Sequence, residues 1–252
     1  MKEKIKISAV AYLNSKPFIH GLEKSVVMNQ IALQLDIPSE CARKLIEQEV
    51  DIGLIPVAVL PLLKEKHIIS DYCIGAIGKV NSVMLYSDVP LNEINSVLLD
   101  YQSRTSVTLV KVLAQNFWKI KPEWIPAGKD YENSISGTTA AVIIGDRTFG
   151  LEGKFKFVYD LAEEWQKFTG LPFVFACWTA NKQLPPEFIS DFNAALKAGL
   201  DSRIELIPLL EKQGKYPTDI GTYLLKSISY NYDAAKKQAL ELFLTFLAKL
   251  DQ

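Results

Sequence analysis

The run SVLLDYQSRTSVTLVKVLAQNF, residues 96–117, sets the fold class. Residues 96–100 are an apolar stretch closed by an acid, as in a short buried strand. A polar turn follows at 101–106 (YQSRTS), and an amphipathic helical pattern then runs through about Phe117. Strand, turn and helix make one βα unit, and the unit recurs in both directions. Upstream, 5–10 reads as a strand and 15–23 as a helix opened by Ser15 and Pro17, since Ser caps well and Pro is tolerated in a first turn. Next come a strand at 31–35, a helix at 38–49 with Cys41, Ala42, Leu45 and Ile46 on one face, and a buried strand at 51–56 (DIGLIP). A helical turn at 59–64 and a strand at 81–86 complete that half. Downstream, 124–126, 140–144 (AAVII) and 173–176 are strand-like. From Pro185 onward the chain reads as helix throughout, in four stretches at 186–200, 202–212, 216–226 and 234–250.

Alternating β-branched runs and helices predict an α/β protein with a largely parallel sheet. Because βα units stand on both sides of residue 90, with a helical tail after them, the pattern predicts two α/β lobes. Residues 1–88 with 177–252 would form a discontinuous lobe one, and 89–176 lobe two. The chain would cross near 87–91 and return near 173–179, leaving a ligand cleft between the lobes. A single doubly wound domain is the alternative arrangement.

Composition narrows the function classes. Among 252 residues, 28 Lys plus Arg face 29 Asp plus Glu, a net charge of −1, so no basic surface is offered to nucleic acid or anionic lipid. A 48% hydrophobic share is that of a globular chain. Cys41, Cys73 and Cys177 are widely spaced and lack a Cys-x-x-Cys pair, which fits reduced, buried thiols better than disulfides or zinc. Lys2, Glu3 and Lys4 lead straight into a strand without the apolar stretch of a secretory signal. The longest apolar run, 54–63, holds two prolines and falls short of the ~20 residues of a spanning helix. A soluble cytoplasmic protein is expected.

Three strand-to-helix turns can carry chemistry, because open parallel sheets hold ligands there. In the first, Tyr12 can pack on a ring, Asn14 can donate and accept at once, and Ser15 begins a helix whose free N–H groups suit an anion. The plain alternative is a capping turn. In the second, Ser103, Arg104, Thr105 and Ser106 put hydroxyls and a guanidinium at a helix start, a clamp for carboxylate or phosphate, or else a solvated arginine beside a cap. In the third, Gly145 permits close backbone approach, and Asp146 can take a substrate hydroxyl or cap the next turn. Ser82 adds a polar group near a crossing segment. His20 and His67 have no metal-ligand spacing, and neither a Gly-x-Ser-x-Gly elbow nor a Gly-x-Gly-x-x-Gly loop occurs. No metal and no cofactor are expected.

Six segments in order carry a family resemblance: ISAVAYLNSKPFIHGL (7–22), IPSECARKLIEQEVDIGLIPVAVL (37–60), NSVMLYS (81–87), LDYQSRTSVTLVKVL (99–113), IIGDRTF (143–149) and YDLAEEWQKFTGLPFVFACW (159–178). Together they resemble the menaquinone-biosynthesis proteins of the futalosine route, above all the chorismate dehydratases. The resemblance is weakest in the helical tail. It implies a two-lobed type II periplasmic-binding-protein-like fold with a central cleft and two crossing segments. It also implies loss of water from chorismate to give 3-[(1-carboxyvinyl)oxy]benzoate, without metal or organic cofactor. Asn14 resembles the family's cleft asparagine, and Ser82, Ser103, Arg104, Thr105 and Ser106 its substrate-binding polar positions, with Gly145 and Asp146 as the strand-end turn. The sister enzyme 1,4-dihydroxy-6-naphthoate synthase, expected to use a second-lobe histidine, fits less well because 96–150 contain none. A non-catalytic solute-binding protein is the rival from another class.

Overall fold

In the computed structural model, which describes residues 4–250, strand β1 (Ile5–Val10) buries its last four residues and pairs in parallel on both sides. Such a strand is covered on both faces, so helices must flank it. Helix α1 (Lys16–Lys24) leads to β2 (Ile31–Asp36), and α2 (Pro38–Ile46) to β3 (Ile52–Pro56), buried at all five positions. Of the face expected for α2, Cys41, Ala42 and Leu45 are buried, whereas Ile46 at the helix end is exposed. A strand that the sequence leaves unassigned follows, β4 (His67–Ala76). Its apolar run is broken by Ser70 and Asp71, whose hydroxyl and N–H both donate to Asn193 Oδ1, 2.9 and 3.0 Å away. A partner more than 100 residues distant thus lets a turn-like pair sit in a strand.

The second sheet begins at β5 (Val83–Ser87) and continues with β6 (Ser96–Leu99), α3 (Thr105–Leu113), β7 (Glu123–Pro126), β8 (Thr139–Ile144) and β9 (Phe157–Asp160). Helix α4 (Leu161–Thr169) then returns the chain to β10 (Phe173–Ala180). The tail holds α5 (Pro186–Asp201), α6 (Arg203–Glu211), the single turn α7 (Ile220–Thr222), β11 (Ser229–Asn231) and α8 (Ala234–Leu250). The tail is therefore not helical throughout, because β11 adds an edge strand beside β4. The sheet orders are β11-β4-β10-β3-β1-β2 and β7-β6-β8-β5-β9.

These memberships move the crossings. The chain leaves the first sheet at Ala76 and enters the second at Val83, so the crossing is 77–82 rather than 87–91, and β5 belongs with lobe two. Phe173 already pairs with Ala76, so 173–176 belong with lobe one. The short run of β5 names no partner by itself; it lies antiparallel between β8 and β9. Asp160 fixes the crossing. One carboxylate oxygen caps α4 through Ala162 and Glu163 N–H, and the other accepts from Val80 and Asn81 N–H at 2.8 and 2.7 Å. Among the described residues no helix is long and apolar enough to cross a membrane.

Candidate active site

A pocket, partly open to solvent, lies between the two sheets. Its walls are mainly apolar, from Val10 and Ile74 of the first sheet to Val83 and Ile144 of the second. Its polar groups come from turns. Tyr12 and Asn14 follow β1, Ser82 ends the crossing, Ser103, Thr105 and Ser106 open α3, and Gly145 follows β8. Pro38, the first residue of α2, borders it as well. Two nine-residue helices, one per lobe, therefore turn their positive ends to the same space. No Asp, Glu, His, Lys or Arg is among the described lining residues.

The hydroxyls are held in place. Ser103 Oγ accepts from Ser106 N–H at 3.0 Å, the cap expected at a helix start. Thr105 Oγ1 donates to the Phe175 carbonyl at 3.0 Å and accepts from Ala58 N–H at 3.2 Å, which joins α3 to lobe one. Ser82 Oγ accepts from Tyr223 Oη at 2.8 Å. Asn14 Oδ1 is buried without a hydrogen-bond partner. An orphaned buried acceptor forfeits about 1–3 kcal/mol of solvation, and this one stands in the pocket wall.

Contacts across the cleft hold the lobes together. Tyr12 Oη donates to Gln102 Oε1, and Ser39 N–H donates to the Gln102 carbonyl at 3.1 Å. Asp146 accepts from Leu13 N–H at 3.0 and 3.3 Å. Gly145, with φ +64°, allows the Tyr12 ring to lie against its backbone: a Cβ there would meet three ring carbons at 2.5–2.8 Å. Burial pushes the Tyr12 phenol and the Asp146 carboxyl above their ordinary ranges.

Of the ten residues singled out from sequence, seven line this pocket: Tyr12, Asn14, Ser82, Ser103, Thr105, Ser106 and Gly145. Three do not. Ser15 is buried and spends its hydroxyl on the Val10 and Tyr12 carbonyls. Arg104 is exposed and borders an outer groove, because at the start of α3 it faces away from its buried neighbours Ser103 and Thr105. Asp146 is occupied as the clasp on Leu13. Arg147 does not line the pocket either: its guanidinium is bonded to Asp100 and Glu132 and lies over the Tyr101 and Tyr131 rings at 5.2 and 5.7 Å. Burial raises the Asp100 carboxyl, with Arg147 opposing. Gln102 and Tyr223 were not singled out; Gln102 lies within the turn already read, while nothing local marks Tyr223.

Two α/β lobes clasped around a pocket make a periplasmic-binding-protein-like fold. The fold is shared with a solved protein from Archaeoglobus fulgidus, at TM-score 0.75 and 14% identity over 98% of this chain and 97% of that one. A Candida albicans protein described as having the generic periplasmic binding protein structural fold matches at TM-score 0.61 and 12% identity, over 98% and 94%. The chain belongs to the menaquinone biosynthesis family, whose model matches residues 5–249. A chorismate dehydratase from Thermus thermophilus is 28% identical over 201 residues, 69% of each chain.

Proposed function

We propose that this protein removes water from chorismate to give 3-[(1-carboxyvinyl)oxy]benzoate. Family membership and the similarity to a named chorismate dehydratase support the substrate. The observation that carries the chemistry is the lining itself, which among the described residues offers hydroxyls, an amide and two helix N-termini but no carboxylate or imidazole. Chorismate brings its own carboxylates. The helix ends of α2 and α3 with Ser103 and Ser106 can hold one as an anion, and the enolpyruvyl carboxylate can take the proton from the ether-bearing carbon. The neighbouring hydroxyl leaves, the proton ends in the released water, and the ring becomes aromatic. The protein's share is orientation and stabilisation of charge on the departing oxygen, for which Asn14 and Ser82 are the groups at hand. The apolar walls suit the ring.

The test is incubation of EDTA-treated protein with chorismate in plain buffer, with the product identified by mass and NMR. The expected product is 18 mass units lighter than chorismate (one water). Saturable binding of chorismate without turnover would overturn the enzyme reading and leave a binding protein.

A further inference from the structure

We propose that Tyr223 is a positioning residue, whose buried hydroxyl aims the Ser82 proton into the pocket. The inference rests on the pocket reading above and adds a residue from the far end of the chain. Tyr223 is 2% exposed and starts a π-helical turn, Tyr223–Ser227, directly after α7. Such turns widen the helix by one residue and recur where a side chain must be placed. Its ring is braced edge-on by Phe149, with centroids 5.1 Å apart.

The hydrogen-bond inventory then fixes directions. Tyr223 Oη donates its single proton to Ser82 Oγ. A serine hydroxyl has one proton and two lone pairs. With Tyr223 on one lone pair and no acceptor for the Ser82 proton among the described side-chain contacts, that proton is free to serve the pocket that Ser82 lines. One phenol thus frees a donor on a wall that also carries the unpartnered Asn14 Oδ1. For loss of a hydroxyl this placement is apt, since Ser82 can donate to the departing oxygen while Asn14 Oδ1 accepts from its hydrogen. Burial keeps the phenol protonated throughout the working pH range.

Tyr223→Phe removes the hydroxyl and keeps the ring. The expected result is kcat lower by roughly 10- to 100-fold, KM for chorismate within about 3-fold, and a melting temperature within a few degrees. In a Ser82→Ala background the same change should cost little more, because the phenol then has no hydroxyl to aim. Fully additive losses, or a lower melting temperature with wild-type kcat, would overturn the proposal in favour of a packing role. A readout independent of turnover separates this from failure of the functional reading. In crystals of Tyr223→Phe, Ser82 Oγ should leave the single position it holds against Tyr223 Oη. An unmoved Ser82 Oγ would refute the positioning role whatever the substrate proves to be.

Discussion

Gly145→Ala tests whether the contact between Tyr12 and the β8 turn governs closure of the cleft. The added methyl has two effects of different reach. First, alanine at φ +64° is strained by about 1 kcal/mol in any folded form, open or closed. Second, its Cβ would stand 2.5 Å from a Tyr12 ring carbon, about 1 Å inside ordinary contact. The ring must move, and with it the Tyr12–Gln102 hydrogen bond, a loss of about 1–3 kcal/mol when a buried partner is left unpaired. Tyr12 and Gly145 belong to different lobes, so this second term acts only on the closed form. Thermal stability should fall by about 2–4 °C from the first term, while kcat/KM for chorismate falls roughly 5- to 150-fold from the second. Gly153→Ala is the control, with φ +74° and nothing within 4 Å of the new methyl. It should lower the melting temperature similarly and leave turnover intact. Equal kinetics in the two variants would refute the reasoning.

Three further outcomes are expected. Asn14→Leu should lower kcat at least ~100-fold, equivalent to about 2.7 kcal/mol, with little change in melting temperature, because it removes an acceptor that is already unpaired; early melting with normal turnover would reduce Asn14 to a turn residue. Arg104→Ala should leave kcat/KM within about 2-fold, since the side chain lies outside the pocket, and a 10-fold loss would bring it back to the substrate. Burial pushes the Asp160 carboxyl up to about 6, so between about pH 4 and 6 the folded chain keeps a proton that the unfolded chain has released. Unfolding free energy then falls as pH rises through that window, by up to roughly 3 kcal/mol from this group. Asp160→Asn should flatten that part of a denaturation profile, and parallel profiles for both proteins would contradict it.

What was legible in the sequence was local. The period change at 96–117 placed β6 and α3, and the polar turns at strand ends brought seven of ten chosen residues to the pocket. What was hidden depends on distant partners. β4 accommodates Ser70 and Asp71 only because Asn193 reaches them from α5. Arg104 and Thr105 are adjacent in a turn rich in hydroxyls, yet the helix start sends one outward and the other inward, and composition does not say which. Asp146 looked free because its partner, the Leu13 N–H, lies 133 residues away. Tyr223 lies in a stretch whose pattern suggested an ordinary helix, and its partner Ser82 is 141 residues upstream.

The place of β10 in the middle of the first sheet bears on how the molecule comes into being. Its two neighbours, β3 and β4, are made about a hundred residues earlier, and until Ala180 has emerged their facing edges have nothing to pair with. The strands of the second sheet, by contrast, are contiguous from Val83 to Asp160 and can pair among themselves as they appear. Synthesis therefore delivers the inserted lobe first and leaves the enclosing one unfinished for roughly 5–20 s at ordinary translation rates. During that interval the nascent chain carries two open, apolar strand edges, the feature most prone to pairing with another chain. Chaperone engagement should accordingly peak while residues 77–180 are being made, and fall once β10 has slotted between its neighbours.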